Sequence, residues 1–327
     1  MPASGGHRAD APTIHRVTPG KGNTTPVRKA LLALADNTAV YKVIVGNPVF
    51  RRMAFRFVAG ETLAEAIEAV RNLPEGTRAS LDHLGENVST ADEAWGACNE
   101  YLTALDEIAK TGIDSNVSLK LTQMGIDLGG DLCLEVMRKI LERARQRGNF
   151  VRIDMEGSNY TDATLEVLRT LRKDYDNVGV VIQAYLFRSE ADVIELNKLG
   201  IPVRLCKGAY AEPPSVAFAA KSDTDENYRK LTTLLLAEGT RPAIATHDPV
   251  IIAWVKEFAE KGGIPRDRFE FQMLYGIRRN LQKQLREEGY NLRVYVPFGK
   301  QWYPYFMRRL AERPANLMFF LSSLVKT

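Results

Sequence analysis

The chain has 327 residues, of which 45% are hydrophobic and 26% are charged, so it is long enough to bury a sizeable core. The formal net charge is +4, and the first thirty residues account for it with five basic groups against one acidic group, so the near-neutral remainder argues against a nucleic-acid partner. Three widely spaced cysteines and four histidines argue against a disulfide framework and a histidine-rich metal site, so no metal is expected.

The amino-terminal part divides into a tail and a helical segment. Residues 1–26 are rich in Gly, Pro, Ser and Thr, which predicts a flexible basic tail. Apolar residues at helical spacing then predict a helix-containing segment over residues 27–50, the first part of a single domain over residues 27–327. The sequence has no apolar run of the roughly twenty residues that a spanning helix needs and no secretory signal, so we expect a cytoplasmic protein.

From residue 78 onward, short apolar segments alternate with longer segments of helical period. The predicted strands are residues 78–84, 117–121, 150–155, 178–185, 203–206, 243–246, 269–273 and 293–296, and helices are predicted between most of them, for example at 133–145, 162–173 and 190–199. This alternation favours a parallel sheet closed into a (β/α)8 barrel of the TIM type, with an open doubly wound sheet as the alternative. Neither GxGxxG nor GxxxxGK[ST] occurs, so any dinucleotide is bound without a Rossmann loop or a P-loop.

Polar side chains collect at the carboxyl ends of the predicted strands. They include Asp82, His83, Glu86, Lys120, Asp154, Glu156, Gln183, Arg204, Lys207, Tyr210, Thr246, His247, Gln272, Tyr275 and Tyr295. A single such residue is expected to end its strand and point to solvent. Their recurrence on eight successive strands instead favours one shared polar pocket at the end of the barrel that holds the active site in barrel enzymes.

A second group of polar residues follows the last predicted strand. Pro304 suits the first turn of a helix, and helical spacing brings Tyr305, Arg308, Arg309 and Glu312 to a shared side. Two adjacent guanidinium groups repel each other unless an anion lies between them, and a carboxylate meets that need through bidentate hydrogen bonds. The alternative is a solvated surface helix with an ion pair.

Together these motifs resemble the proline dehydrogenase family, including the dehydrogenase domain of the bifunctional proline-utilisation proteins. The matching stretches, in the family's order, are residues 56–61, 118–123, 152–156, 204–210, 245–247, 272–276 and 305–312. The resemblance implies a distorted (β/α)8 barrel with extra amino-terminal helices, FAD at the carboxyl ends of the strands and a final helix over the barrel mouth. It also implies that L-proline loses a hydride to FAD, that Δ1-pyrroline-5-carboxylate forms and that a quinone takes the electrons.

The resemblance assigns roles to individual residues. Asp154 and Arg204 would be catalytic, with Asp154 orienting the lysine and Arg204 beside flavin N5. The substrate-binding residues would be Lys120, Tyr210, Tyr295, Tyr305, Arg308, Arg309 and Glu312, with the two arginines clamping the proline carboxylate. The FAD-binding residues would be Met155, Gln183, Arg204, Lys207, Gly208, Ala209, Thr246 and His247, with the pyrophosphate near Lys207 and the helix that follows. Glu61 would pair with Arg308 as a gate.

The implied partners are L-proline, a quinone acceptor and a separate pyrroline-5-carboxylate dehydrogenase that acts downstream. A membrane quinone also implies transient contact with the inner membrane face. Two other functions stay open at this point. A folate-type flavin reductase would need a pterin or nicotinamide site, against which the tandem arginines argue. A non-catalytic amino-acid-binding barrel would have no reason to place Arg204, Lys207 and Asp154 around one mouth.

Overall fold

The computed structural model of the chain describes residue 41 and residues 44–311. The predicted tail over residues 1–26, most of the segment 27–50 and Glu312 lie outside the described residues. Within the described part of the chain, no helix is both long and apolar enough to cross a membrane.

Eight parallel strands close into a barrel in sequence order, which confirms the predicted (β/α)8 fold. The strands are β1 (Arg78–His83), β2 (Ser115–Leu119), β3 (Val151–Ile153), β4 (Val178–Gln183), β5 (Val203–Cys206), β6 (Ala243–Ala245), β7 (Glu270–Leu274) and β8 (Asn291–Phe298). The open doubly wound alternative is wrong, because β1 pairs with β8 in a register that runs from Arg78 opposite Arg293 to His83 opposite Phe298.

Helices surround the barrel and precede it. Before β1 lie α1 (Pro48–Ala54) and α2 (Leu63–Arg71), and the barrel helices are α3 (Ala91–Thr111), α4 (Gly130–Gln146), α5 (Thr161–Leu171), α6 (Ser189–Lys198), α7 (Lys221–Glu238), α8 (Pro249–Lys261), α9 (Arg279–Glu287) and α10 (Trp302–Ala311). Both α2 and α3 begin with a capping box, in which a threonine and the glutamate three residues later satisfy free backbone N–H groups. The predicted extra amino-terminal helices are therefore present.

The interior of the barrel is polar, unlike the branched aliphatic filling that is common in this fold. The guanidinium of Arg204 on β5 lies within 3.4 Å of the Ser80 hydroxyl on β1, so side chains from opposite strands meet in the centre. Ser80, Asp82, Ser118 and Arg204 are all buried. Buried polar groups are costly unless they are hydrogen-bonded, so the barrel must hold a connected polar network.

The last helix of the described part of the chain, α10, covers the carboxyl end of the barrel. Trp302, Phe306 and Leu310 recur at every fourth position of α10 and form one apolar face. These side chains pack with Phe50 of α1 and with Leu84, which follows β1, in a cluster separate from the main core. Burial of this face turns the arginines of α10 toward the strand ends.

Candidate active site

A cavity of about 420 Å³ opens at the carboxyl ends of the strands. Its walls are formed by Lys120, Asp154, Met155, Val181, Gln183, Arg204, Cys206, Lys207, Gly208, Ala209, Tyr210, Ala245, Thr246, His247, Gln272, Met273, Leu274, Tyr295, Tyr305, Arg308 and Arg309. The structure therefore brings together all the predicted site residues except Glu61, which lies elsewhere, and Glu312, which is not described.

Lys120 and Asp82 form a buried pair at the floor of the cavity. The Lys120 Nζ lies 3.3 Å from Asp82 Oδ2, and the Asp82 side chain is fully buried. Burial disfavours the ammonium, but the surrounding Asp82, Asp154 and Glu86 outweigh that effect and hold the pKa of Lys120 above its ordinary value. The amine therefore stays protonated at neutral pH and acts as a fixed cation.

The Tyr295 hydroxyl bridges two carboxyl groups. Its oxygen lies 2.6 Å from Asp82 Oδ2 and 2.8 Å from Asp154 Oδ2. A phenol has one proton, so it donates to one of the two carboxyl groups at a time. Complete burial raises the pKa of Asp82, while the neighbouring ammonium of Lys120 opposes that effect. The three groups therefore form a chain from Asp82 through Tyr295 to Asp154.

Asp154 also fixes Arg204 in the centre of the barrel. Its Oδ1 accepts hydrogen bonds from Arg204 Nη1 at 2.9 Å and from the Ser118 hydroxyl at 2.6 Å. The Arg204 guanidinium lies over the ring of Tyr295, with 5.3 Å between the guanidinium carbon and the ring centroid. The buried Nε of Arg204 has no hydrogen-bond partner among the described residues. Arg204 therefore presents an incompletely satisfied cation to the cavity.

The two arginines of α10 lie at the mouth of the cavity. Arg308 makes two hydrogen bonds to Glu86, one of them 3.1 Å long, and both side chains are 23% exposed. Burial alone would raise the pKa of Glu86, but Arg308 and Lys120 lower it below its ordinary value. The Arg309 guanidinium lies 5.2 Å from the ring centroid of Tyr305. Tyr210 lies at the rim and is 36% exposed.

The expected gate pair between Glu61 and Arg308 is not formed. Glu61 Oε1 lies 3.1 Å from an Arg51 nitrogen and accepts a hydrogen bond of 2.9 Å from the indole N–H of Trp302. Glu61 therefore contacts the first turn of α10, whereas Arg308 lies nearly two turns further along the helix and faces the end of β1. The carboxylate that pairs with Arg308 is Glu86.

The surroundings of Lys207 also differ from the expected pyrophosphate site. Lys207 Nζ forms ion pairs with Asp225 and with Asp248, the latter at 3.1 Å. The next helix begins only at Lys221, so no helix start follows Gly208 directly. Gly208 has a φ of +110°, and a side chain there would collide with the Tyr185 ring, so packing requires the glycine. Lys207 is thus neutralised within the protein.

Sequence reasoning assigned no role to Asp82 or Glu86. Both lie in the stretch that ends β1, and that stretch was recognised as polar. The available signal was Asp82 itself, because a carboxyl group within an otherwise apolar strand needs a buried partner. Among the described residues, no group of three or more His, Cys, Asp and Glu side chains is arranged to hold a metal ion.

Comparisons of the whole sequence with known proteins identify the family to which the chain is similar. A family model described as proline dehydrogenase matches residues 64–321. Proline dehydrogenase 2 of Bacillus subtilis (strain 168) is 44% identical over 277 residues, which cover 84% of this chain and 91% of that protein. Proline dehydrogenase of Deinococcus radiodurans is 42% identical over 305 residues, which cover 91% of this chain and 98% of that protein.

Comparison with solved structures gives a match that is consistent with these sequence relatives. Proline utilization A (PutA) from Bdellovibrio bacteriovorus, in a crystal structure of the protein inactivated by N-propargylglycine, matches with a TM-score of 0.74 and 30% identity. The match covers 80% of this chain and 33% of that chain, so this protein spans about a third of the bifunctional protein's length.

Proposed function

This chain belongs to the proline dehydrogenase family, and we propose that it oxidises L-proline to Δ1-pyrroline-5-carboxylate with FAD as the hydride acceptor. The observation that carries this proposal is the presence of Arg308, Arg309 and Lys120 around one cavity at the carboxyl ends of the strands. Three cations converge there, which suits an amino acid held by its carboxylate. Membership of this family argues against a folate-type reductase and a non-catalytic barrel.

Arg308 and Arg309 would bind the substrate carboxylate and set the orientation of the proline ring. A planar guanidinium holds a carboxylate through two parallel hydrogen bonds, and that fixes a direction as well as a position. Glu86 already holds Arg308 in this way, so the substrate carboxylate must compete with Glu86. We infer that Glu86, rather than Glu61, acts as the gate residue.

Lys120 would add a third positive charge beneath the carboxylate. Its raised pKa makes it unsuited to accept a proton from the proline amine near neutral pH. Its position is held by Asp82, which is fixed in turn by Tyr295 and Asp154. Tyr295 and Tyr305 would exclude water around the small apolar ring of the substrate, and we propose the undescribed Glu312 as a further wall of this pocket.

The donor set and the wall chemistry of the cavity fit a flavin. Met155, Val181, Ala245 and Met273 give an apolar wall for a flat ring, and Arg204 has a buried Nε without a partner among the described residues. When bound, FAD would supply the two-electron acceptor that no side chain provides. The remaining residues proposed to hold it, all in the cavity wall, are Gln183, Lys207, Gly208, Ala209, Thr246 and His247.

Arg204 is the residue that we propose to favour reduction of the bound acceptor. A positive charge already fixed where negative charge will develop costs no reorganisation during the reaction. Asp154 holds that charge in place through Nη1 at 2.9 Å. Asp154 therefore orients both Arg204 and, through Tyr295 and Asp82, Lys120.

The proposed electron acceptor after FAD is a quinone. A lipid-soluble quinone would bring the protein into transient contact with the inner membrane face. The product would pass to a separate pyrroline-5-carboxylate dehydrogenase.

Turnover tests this proposal directly. Purified protein loaded with FAD should reduce a soluble quinone analogue with L-proline but not with D-proline, because the arginine pair fixes one face of the ring. Hydroxyproline in a third assay would define the substrate range. FAD-loaded protein that shows no turnover with L-proline would overturn the proposal.

A further inference from the structure

A second cavity lies at the amino ends of the barrel strands, opposite the candidate active site. Its volume is about 160 Å³. It is lined by Arg78, Asn116, Phe150, Arg152, Pro202, Arg241, Pro242, Asp267, Arg268, Phe269, Glu270, Gln272, Asn291 and Arg293. This end of a barrel ordinarily serves stability, and the proposed proline chemistry makes no use of it.

The charges around this cavity do not balance. Five arginines face two carboxylates, and Arg293 holds one of these, Glu270, at 2.8 Å. Arg78 lies 3.4 Å from Asp114 outside the cavity wall and 3.8 Å from Glu270. The guanidinium groups of Arg241 and Arg268 make no hydrogen bond or ion pair with any described residue. Even when Asp114 is counted, the cavity keeps an excess of two positive charges.

Arg152 carries the part of this excess that is buried. The residue is 5% exposed, and its Nη1 donates to the carbonyl oxygens of Val180 at 3.2 Å and Pro202 at 2.6 Å. Its buried Nε has no partner among the described residues. Burial, reinforced by repulsion from Arg204, lowers the pKa of Arg152 to about 9. No described carboxylate forms an ion pair with Arg152, although Glu270 favours its charged form from a greater distance.

The neutral donors of the cavity are already used. The Asn291 amide donates to the carbonyls of Asp267 and Phe269, and the Asn116 amide donates to the carbonyl of Val117. The Gln272 amide donates to Glu270. The donors left for a ligand therefore belong to guanidinium groups, and guanidinium groups select planar carboxylates and phosphates.

We propose that this cavity binds a small, doubly charged oxyanion of the phosphate type. Two negative charges match the excess of two positive charges, and a cavity of about 160 Å³ limits the ligand to a small anion. Arg152 would contact the oxyanion from the buried side, and Arg241 and Arg268 would contact it from the rim. The site does not depend on the proposed proline oxidation, because none of the residues proposed to bind proline or FAD lines it.

Inorganic phosphate is the first probe. Thermal unfolding of the FAD-loaded protein should be followed at pH 7.5 against increasing phosphate, with sodium chloride adjusted to keep the ionic strength constant. A ligand of the folded state raises Tm in a saturable way. We expect such a rise with phosphate and none with chloride alone.

Rim variants identify the cavity as the site. Arg241→Ala and Arg268→Ala should each weaken phosphate binding roughly fivefold, as expected for exposed charge contacts, and leave proline turnover unchanged. Arg138→Ala is the matched control, because Arg138 is an exposed arginine of α4 outside both cavities. Arg152→Met should weaken binding at least tenfold. If that variant does not fold, the rim variants still decide the question.

A phosphate monoester distinguishes free phosphate from a phosphorylated metabolite as the source of the bound phosphate group. Tighter binding of glycerol 3-phosphate than of inorganic phosphate would assign the site to a phosphorylated metabolite, and equal or weaker binding would assign it to free phosphate. Both results support the proposal. The absence of a saturable effect, or an equal effect in the wild type and in both rim variants, would overturn it, because the anion would then act elsewhere or not at all.

Discussion

Replacement of Glu86 by glutamine should change stability and proline affinity in opposite directions. Glu86 and Arg308 form a bidentate ion pair at the cavity mouth, and both side chains are 23% exposed. Glutamine keeps the size of the side chain but removes its charge and one of its acceptor oxygens. The variant therefore isolates the charge that competes with the substrate for Arg308.

The size of both effects follows from the burial of the pair. A hydrogen bond to a charged group contributes about 1.5–3 kcal/mol, and partial exposure reduces this to about 1–2 kcal/mol here. The free energy of unfolding should fall by that amount, because Arg308 loses its partner. The proline carboxylate no longer has to displace Glu86, so the Kd of proline should fall by about 5- to 30-fold.

Two assays on the same preparations measure this pair of effects. Denaturant unfolding gives the stability change, and titration of the flavin spectrum with a non-oxidisable proline analogue gives the affinity change. Glu195→Gln is the matched control, since Glu195 holds Arg169 through two hydrogen bonds of 2.6 and 2.9 Å on the outer surface. The control should lose some stability and keep its affinity. Unchanged or weaker analogue binding in Glu86→Gln would refute the role of Glu86 as a competitor.

Four further substitutions test the rest of the site. Arg309→Lys should raise the KM for proline about tenfold or more in steady-state kinetics while the flavin stays bound, because an ammonium cannot form the bidentate fork; an unchanged KM would refute the assignment. Asp82→Asn and Asp154→Asn should each cost about 3 kcal/mol by denaturant unfolding, because each leaves a buried cation, Lys120 or Arg204, without its counter-charge; a cost below about 1 kcal/mol for either variant would contradict that pairing. Burial raises the pKa of Glu156 from 4.5 to about 7. The protonated Glu156 therefore stabilises the folded state fully below pH 4.5, and this contribution to the free energy of unfolding is lost as pH rises to 7. The stability of Glu156→Gln relative to the wild type should therefore rise by up to about 3 kcal/mol between pH 4.5 and 7, and a difference independent of pH would show that Glu156 stays charged.

The barrel itself could be predicted because its strands are short and apolar. Strand β5 was predicted with its observed bounds, and β4 ends two residues before its predicted end. Strand β2 was misplaced by two residues, since it begins with the polar Ser115 and Asn116. Both side chains are buried, and Asn116 lies in register with Ser80, which faces the polar barrel interior, so an apolar-run criterion cannot recognise this start of the strand.

The residues of the candidate site were predicted better than their pairings. Strand-end position places Asp154, Arg204 and Tyr295 at one mouth, since all parallel strands end on the same side. Partner choice depends on side-chain geometry across distant parts of the chain. Glu61 and Glu86 are both carboxylates near the final helix, and only the packing of α10 decides which one contacts Arg308. Lys207 likewise forms ion pairs with Asp225 and Asp248, and no local sequence pattern predicts these two partners.

Anaerobic reduction of the bound flavin is the most direct test of the central claim. Purified, FAD-loaded protein is mixed with L-proline in the absence of oxygen and of any quinone, and the visible absorbance of the flavin is followed. The account predicts full bleaching by L-proline in the wild type, and bleaching that needs a much higher L-proline concentration in Arg309→Lys. A flavin that stays oxidised with saturating L-proline would contradict the account.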